Sequence, residues 1–531
     1  MISTSYLRSG VAVCALIGAA ATLTVVPASA DNLLGLKVYR AVHHDTSPPL
    51  RDMIRAYNEQ HRNDAPAKNH VIPLLQGPAM MKLPFVKDGI KGNSMLPGAV
   101  ATTDLLNFDG TDDAHSLCGC APPDTNGAVG ATQYVQWVNT AFAIYNKTTG
   151  ALISGPTAGN ALWQGFNGRC QSSNSGDPIA QYDKVAGRWV MQQPVFSSPF
   201  KMCLAVSTTN DATGTYNRYE FDFANVFPDY PKLGIWPTTG NQAYFLSIRA
   251  FLNGQTFQGS QACGMDRTNM LAGNAATMQC ISLGSNFDGV LPGDFDGTML
   301  PPSGEDELFA NHTGSSTVNF WKMHVDFANS NNTTVTGPTA VSVPAFSGAS
   351  SVPQKNTTTR LDALSGFTMY RLAYRNFGDH ESLVTGHNVN VNARAALRWY
   401  EFRNPSTPTL FQSGNIKNKT LHYWMGSVAM DKQGNIAAGF STSSANDFPG
   451  INYTGHAPGD ALGKMKKHAG GNTTNGGGSQ TNGLTRWGDY SAMSIDPGDD
   501  CTFYYTNEYL KATGSFNWST RVNSFKFNSC S

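Results

Sequence analysis

From about residue 117 onward, short apolar segments are separated by turns of Gly, Asn and Asp. FWKMHVDF (320–327), LRWYEF (397–402) and VNSFKF (522–527) alternate apolar and polar positions with period two, the pattern of strands with one face covered. We read these three as outer strands. A second pattern recurs: a strand, a turn of the form D-x-x-x-G or N-x-x-x-G, then another strand. YNKTTGAL (from Tyr145), YDKVAGRW (from Tyr182) and MDKQGNI (from Met430) carry it, and IDPGDDCTFYY (from Ile495) is a distorted copy. The Asp or Asn opens the turn through its side-chain oxygen, and Gly takes the positive φ. Residues 117–531 hold about seven such units of roughly 60 residues each, longer than the ~40–50 of a compact blade. No linker divides this stretch into separate sandwiches. The prediction is an all-β domain, a seven-bladed β-propeller in which radially arranged sheets cover each other's faces.

The chain before it reads differently. After Pro48-Pro49, apolar positions at Met53, Ile54 and Tyr57 predict a helix between Leu50 and Arg62. The remainder of 31–116 is irregular and rich in Pro, Lys and Gly, an extension packed on the main domain without a core of its own. Residues 1–30 have Arg8, an apolar run from Val11 to Val26 and Ala28-Ser29-Ala30, the layout of an export signal cleaved near Ala30. A secreted or periplasmic protein is expected. No later stretch approaches the ~18 apolar residues of a membrane span.

Removing that segment takes Arg8 from the 37 basic residues and leaves 36 against 37 acidic ones. Net charge thus offers nothing to attract nucleic acid or an anionic membrane. Of the nine cysteines only Cys14 lies in the signal, and an even set of eight in an exported chain implies disulfides. Proximity favours Cys170 with Cys203, Cys263 with Cys280 and Cys501 with Cys530. Cys118 and Cys120 either bridge locally or pair elsewhere. No CxxC or histidine pair points to zinc.

The segments PPDTNGAVG, SGDPIAQYDKVAGRW, LAVSTTNDATGTYNRYEF, DYPKLGIW, YRLAYRNFGDHESLV, WMGSVAMDKQGNIAAGFS and RWGDYSAMSIDP resemble a group of secreted bacterial propellers related to the sialidase-like, Asp-box-containing propellers. The resemblance covers nearly all of 117–531 and implies a sialidase-like propeller. Members of that group mostly carry no assigned activity, so it implies a fold more than a function. One distorted Asp-box, Ser494 to Phe503, is present.

The densest polar cluster is Arg371, Arg375, Asp379, His380, Glu381, His387 and Arg398. Arg forks bind carboxylates or sulfates, and His transfers protons near neutrality. Arg371, Arg375, His380, Glu381, His387 and Arg398 are therefore the candidate catalytic residues, against the alternative that they pair as ions between blades. Arg486, Trp487, Asp489 and Tyr490 form a candidate ligand-binding set, with aromatics for a sugar face or for the core. Gly459–Gly483 reads as too glycine-rich to pack, a surface loop or a basic lid over an acidic ligand. Asp288, Asp294 and Asp296 approach a calcium loop but lack the other ligands, so no cofactor is expected. The residues give two functions: a propeller binding carbohydrate or another extracellular ligand at its loop face, or a glycoside hydrolase or polysaccharide lyase acting on acidic sugars.

Overall fold

The computed structural model describes residues 35–64, 67–81, 85–116 and 118–531. Residues 1–30, read from the sequence as an export signal, lie outside them. Strand dominates. From Thr125 onward the chain makes antiparallel meanders, each beginning with a strand that faces the axis: Thr125–Val129, Ile179–Asp183, Val226–Trp236, Leu291–Asp296, Thr368–Asn376, His422–Met430 and Ala492–Ile495. Each first strand touches the next, and Ala492–Ile495 touches Thr125–Val129. That closed ring of first strands is the radial plan of a β-propeller.

In several meanders the outermost strand is the least buried. Ile179–Asp183 and Phe200–Ser207 are buried throughout, whereas the fourth strand Thr334–Ser342 is mostly exposed. Inner strands have neighbours on both faces, so alternation survives mainly at the periphery. FWKMHVDF, LRWYEF and VNSFKF, expected as outer strands, are third strands: Thr317–His324, Arg394–Arg403 and Trp518–Phe527 each have a fourth strand beside them. All nine tryptophans are buried, packed between sheets.

First strands approach closely enough to share hydrogen bonds where side chains vanish. Leu291–Asp296 pairs parallel with Thr368–Asn376, matching Gly293 to Leu372 and Asp296 to Arg375. A Cβ on Gly234 would stand 2.0 Å from the Gly293 oxygen, so this approach requires glycine.

The expected turns form at the ends of first strands. Asp183 Oδ1 accepts from Ala186 N at 3.0 Å, Asp431 Oδ1 from Gln433 N at 2.9 Å and Asp496 Oδ1 from Gly498 N at 2.7 Å. YNKTTGAL makes the same turn, with Asn146 Oδ1 accepting from Thr148 N, but two hairpins later, between third and fourth strands. The sequence pattern reports turn chemistry, not position within the unit.

The extension is woven into the ring. Thr102–Asp109 is the fourth strand beside Trp518–Phe527, so an early segment completes the last sheet. Lys37–Thr46 pairs with Tyr216–Ala224 on one side and Thr277–Ser282 on the other, joining two meanders. Met95–Ala99 runs parallel to Met465–Lys467. The predicted helix forms as Leu50–Gln60 and packs Leu50, Met53 and Ile54 near Trp163 and Phe166. Disulfides join Cys118 to Cys120, Cys170 to Cys203, Cys263 to Cys280 and Cys501 to Cys530. Among the described residues no helix is long and apolar enough to cross a membrane.

Gly459–Gly483 is packed in part, contrary to its reading as a loop too glycine-rich to pack. Lys467 pairs with Thr454 in the sheet, and Thr474 bridges Ile451. A Cβ on Gly476 would lie 1.9 Å from Pro449 O, and one on Gly478 1.9 Å from Ala512 C. Glycine here permits main chain to lie against main chain, which composition alone cannot distinguish from flexibility.

Candidate functional site

The Arg371–Arg398 cluster is spread over one meander and does not converge. Arg371, on the first strand, donates to Asp294 Oδ2 at 2.6 Å and Asp296 Oδ2 at 2.7 Å. Burial works to raise both carboxyls. At Asp296, Arg371 and Lys184 outweigh it and hold the pKa below the usual range, while Asp294 stays raised. Arg375 forks onto Asp500 at 2.6 and 2.7 Å and donates to Met430 O. The carboxylates that meet these guanidiniums are Asp294, Asp296 and Asp500, none of them in the sequence cluster. The same contacts occupy the aspartates considered for calcium, and Asp288 receives Arg249 at 2.6 Å.

His387 and Arg398 lie between sheets. His387 stacks on His312 at 4.0 Å and meets the Tyr400 hydroxyl through Nε2 at 2.8 Å. Burial, with His312 and Arg398 nearby, pushes its pKa well down. Arg398 donates to Asn415 Oδ1 at 2.5 Å, Pro344 O at 3.0 Å and Asp88 Oδ1 at 2.6 Å. His380 and Glu381 sit at the far hairpin. His380 contacts Asp379 at 2.8 Å, and the Tyr374 hydroxyl donates to Glu381. Glu305 faces Glu381, and burial followed by that contact raises its pKa to about 8.

The second set lies at the mouth where the first strands begin. Arg486 donates to Asp489 Oδ2 at 2.6 Å and Asp362 Oδ2 at 3.1 Å. Trp487 is fully buried and donates to Ser441 Oγ at 3.1 Å. Tyr490, also fully buried, donates to Pro178 O at 3.1 Å. Both aromatics face the core rather than solvent. Around them converge Asp124, Asp177 and Asp229, with the Lys232 ammonium 3.4 Å over Tyr230 and 3.9 Å over Tyr490. Burial pulls Lys232 down to about 8 against the attraction of Asp177, Asp124 and Asp489. Asp124 is fully buried and, among the described residues, neither oxygen has a hydrogen-bond partner within ordinary geometry; burial, then Asp489 and Asp177, pushes its pKa well up. Asp124, Asp177, Tyr230 and Asp489 all have φ between 50° and 61°. The sequence signal for this ring was the repeated Asp just before a first strand, in PPDTNG, SGDPIA and WGDYSA.

One open site contains none of the candidate residues. Two contiguous cavities of about 780 and 550 Å³ lie between residues 85–95, the Val391–Arg394 turn and Lys417–Lys419. Lys87, Lys91, Arg394, Lys417, Lys419 and Lys467 line them. Among the described residues no carboxylate pairs with any of these six. Asp88 is the single acid in the lining, and Arg398 and Asn415 hold it at 2.6 Å. Phe85, 83 % exposed, stands at one end. FVKDGIKGN (85–93) and NIKNKT (415–420) carry these lysines, but nothing in their spacing showed that they meet.

No family model and no curated protein matches the sequence. Among solved structures, an exo-β-1,3-galactanase from Clostridium thermocellum is 9 % identical, with 64 % of this chain and 74 % of that one covered and a TM-score of 0.29. The N-terminal domain of Nup159 is 8 % identical, with 87 % and 100 % covered and a TM-score of 0.33. A PL25 ulvan lyase is 12 % identical, with 78 % and 80 % covered and a TM-score of 0.27. Likeness of this degree adds nothing to the architecture read from the strands.

Proposed function

We propose that the chain is an exported, seven-bladed propeller that binds an acidic carbohydrate in the cationic groove. The carrying observation is six basic side chains without carboxylate partners lining contiguous cavities, in a chain whose basic and acidic residues balance at 37 each. Elsewhere in the fold the buried guanidiniums are neutralised by aspartates. A groove that keeps its cations unpaired has a surplus positive potential suited to carboxylate or sulfate groups. Phe85 supplies an apolar surface beside those charges, as a sugar ring requires. Four disulfides fit an oxidising compartment.

Titration calorimetry with sulfated and uronic-acid oligosaccharides tests this reading, with neutral dextran as control. Acidic oligosaccharides should bind, and affinity should fall steeply between 50 and 200 mM salt. Lys417→Glu with Lys419→Glu should weaken binding at least tenfold with an unchanged melt. Equal binding of dextran, or an unaffected double variant, would refute the proposal.

A glycan-cleaving enzyme is the second reading. Glu305 and Glu381, both half-buried, favour it, because Glu305 keeps its proton to about 8 and is a ready acid at neutral pH. The strand Glu381–Val391 separates this pair from the groove by its 11-residue length, ~35 Å at strand rise. Reducing-end release from acidic glycans, abolished by Glu305→Gln, would establish the enzyme.

A further inference from the structure

The mouth of the ring is crossed by an early segment of the chain. His70 N donates to Gly119 O at 2.7 Å and Ile72 N to Ala121 O at 2.8 Å. Beyond them the segment passes over the charged groups that gather where the first strands begin. Three of these groups hold it, and all three contact its main chain. Arg486 Nε donates to Ile72 O at 3.4 Å, Arg249 donates to Leu75 O at 2.9 Å, and Ala79 N donates to Asp288 Oδ2 at 3.0 Å. The three charged side chains are buried, Arg249 to within 1 % and Asp288 to within 4 % of complete. They come from different meanders, so the recognition site exists only because the ring closes.

The segment contributes no charge of its own here, and of its side chains from Ile72 to Met81 only Ile72 is buried. Its polar contacts are main-chain, its fit at glycine is steric, and Leu74, Leu75, Ala79 and Met80 lie half-buried against the apolar core. A Cβ on Gly77 would stand 2.4 Å from Asp288 Oδ2 and 2.8 Å from an Arg249 nitrogen. A Cβ on Gly366 would stand 1.5 Å from Ala79 O. The ring has given up a side chain at Gly366 to let a carbonyl pass, and the segment has given one up at Gly77 to pass the ion pair. Cavities of about 350 and 110 Å³ flank the Pro78–Met80 turn on its two sides, so the slot is wider than its occupant.

We propose that the mouth of the ring is a binding site for a peptide that runs into a single turn, held through its main chain with glycine required beside Asp288, and that residues 72–81 occupy this site in cis. Fixed guanidinium donors and a carboxylate acceptor, spaced along a slot, recognise carbonyl and amide groups whatever the side chains are. The specificity lies in the one position where no Cβ fits.

The test uses the full mature chain and a fluorescently labelled peptide of residues 70–81. Gly77→Val places a branched side chain against Asp288 and expels the segment while every ring residue is kept. Ala79→Pro removes the amide that donates to Asp288 and serves as a second, independent variant. At least one variant that keeps the wild-type circular dichroism should bind the peptide, with a Kd at least tenfold below that of wild type, whose own segment competes. The same peptide carrying Gly77→Val should not bind. Fast amide exchange of residues 72–79 in wild type, matching an unstructured peptide, would overturn occupancy in cis. Folded variants that ignore the peptide, or a wild type that binds it equally well, would overturn the site.

Discussion

Replacing Arg375 by alanine separates a structural from a ligand-binding role for the cluster most visible in the sequence. Its side chain is 3 % exposed and that of Asp500 14 %. Two charge-assisted contacts at 2.6 and 2.7 Å, and a third to Met430 O at 3.1 Å, disappear with it. The carboxylate is then left in a site built for a guanidinium, and breaking a buried pair this way costs ~3–5 kcal/mol. Because Asp500 keeps some solvent, the loss should fall at the lower end, about 3 kcal/mol. Urea unfolding followed by tryptophan fluorescence reads it, since all nine tryptophans are buried. Asp500→Asn should cost less alone, and the double variant less than the sum of the singles, because one interaction is removed twice. Arg375→Lys should recover only part, for an ammonium cannot fork onto both oxygens. Affinity for acidic oligosaccharide should not change in any of these. A stability loss below about 1 kcal/mol in Arg375→Ala, with loss of ligand, would refute the structural assignment.

Acid should weaken the fold through the stacked histidines. Burial lowers His312 to about 4 and pushes His387 well down, so their contribution is complete above the unfolded value of about 6.5 and is lost as pH falls below it. Wild type should lose more stability than His387→Phe between pH 7.5 and 4.5 in urea titrations, and parallel curves would contradict this. Gly478→Ala should destabilise, since its Cβ would meet Ala512 C at 1.9 Å, and residues 474–483 should survive limited proteolysis of the native chain. First cleavage within that segment would show that its glycines are loose rather than packed.

Much of the fold was legible because local chemistry repeats. The Asp183, Asp431 and Asp496 turns each need an Asx oxygen at one end, and that requirement is written in the residues. So is the helix at Leu50–Gln60, marked by Pro48-Pro49 and the apolar positions Met53, Ile54 and Tyr57. Neighbouring cysteines paired as proximity favoured. The role of the extension was not legible, because pairing of Thr102–Asp109 with Trp518–Phe527 spans most of the chain and leaves no local mark. Strand rank within a meander was missed for a related reason. Period two reports one covered face, and third strands show it as well as fourth ones.

The candidate site was misplaced by the same locality. Arg371, Arg375, His380, Glu381, His387 and Arg398 crowd the sequence because a hairpin brings them close along the chain, yet strand geometry sends them to the axis, to the space between sheets and to a far turn. Their charges are answered by Asp294, Asp296, Asp500 and Asp88, each remote in sequence from the arginine it meets. The groove has the opposite history: Lys87, Lys91, Lys417 and Lys467 are scattered in sequence and assembled by the fold. A net charge near zero therefore conceals two populations. Buried cations are matched by aspartates, which costs desolvation and leaves no outward field. Cations around the groove are unmatched, and their field reaches solvent over about a Debye length. Composition sums the two and cancels them. Only the difference between paired and unpaired charge, which requires the fold, picks out the groove proposed to bind an anion.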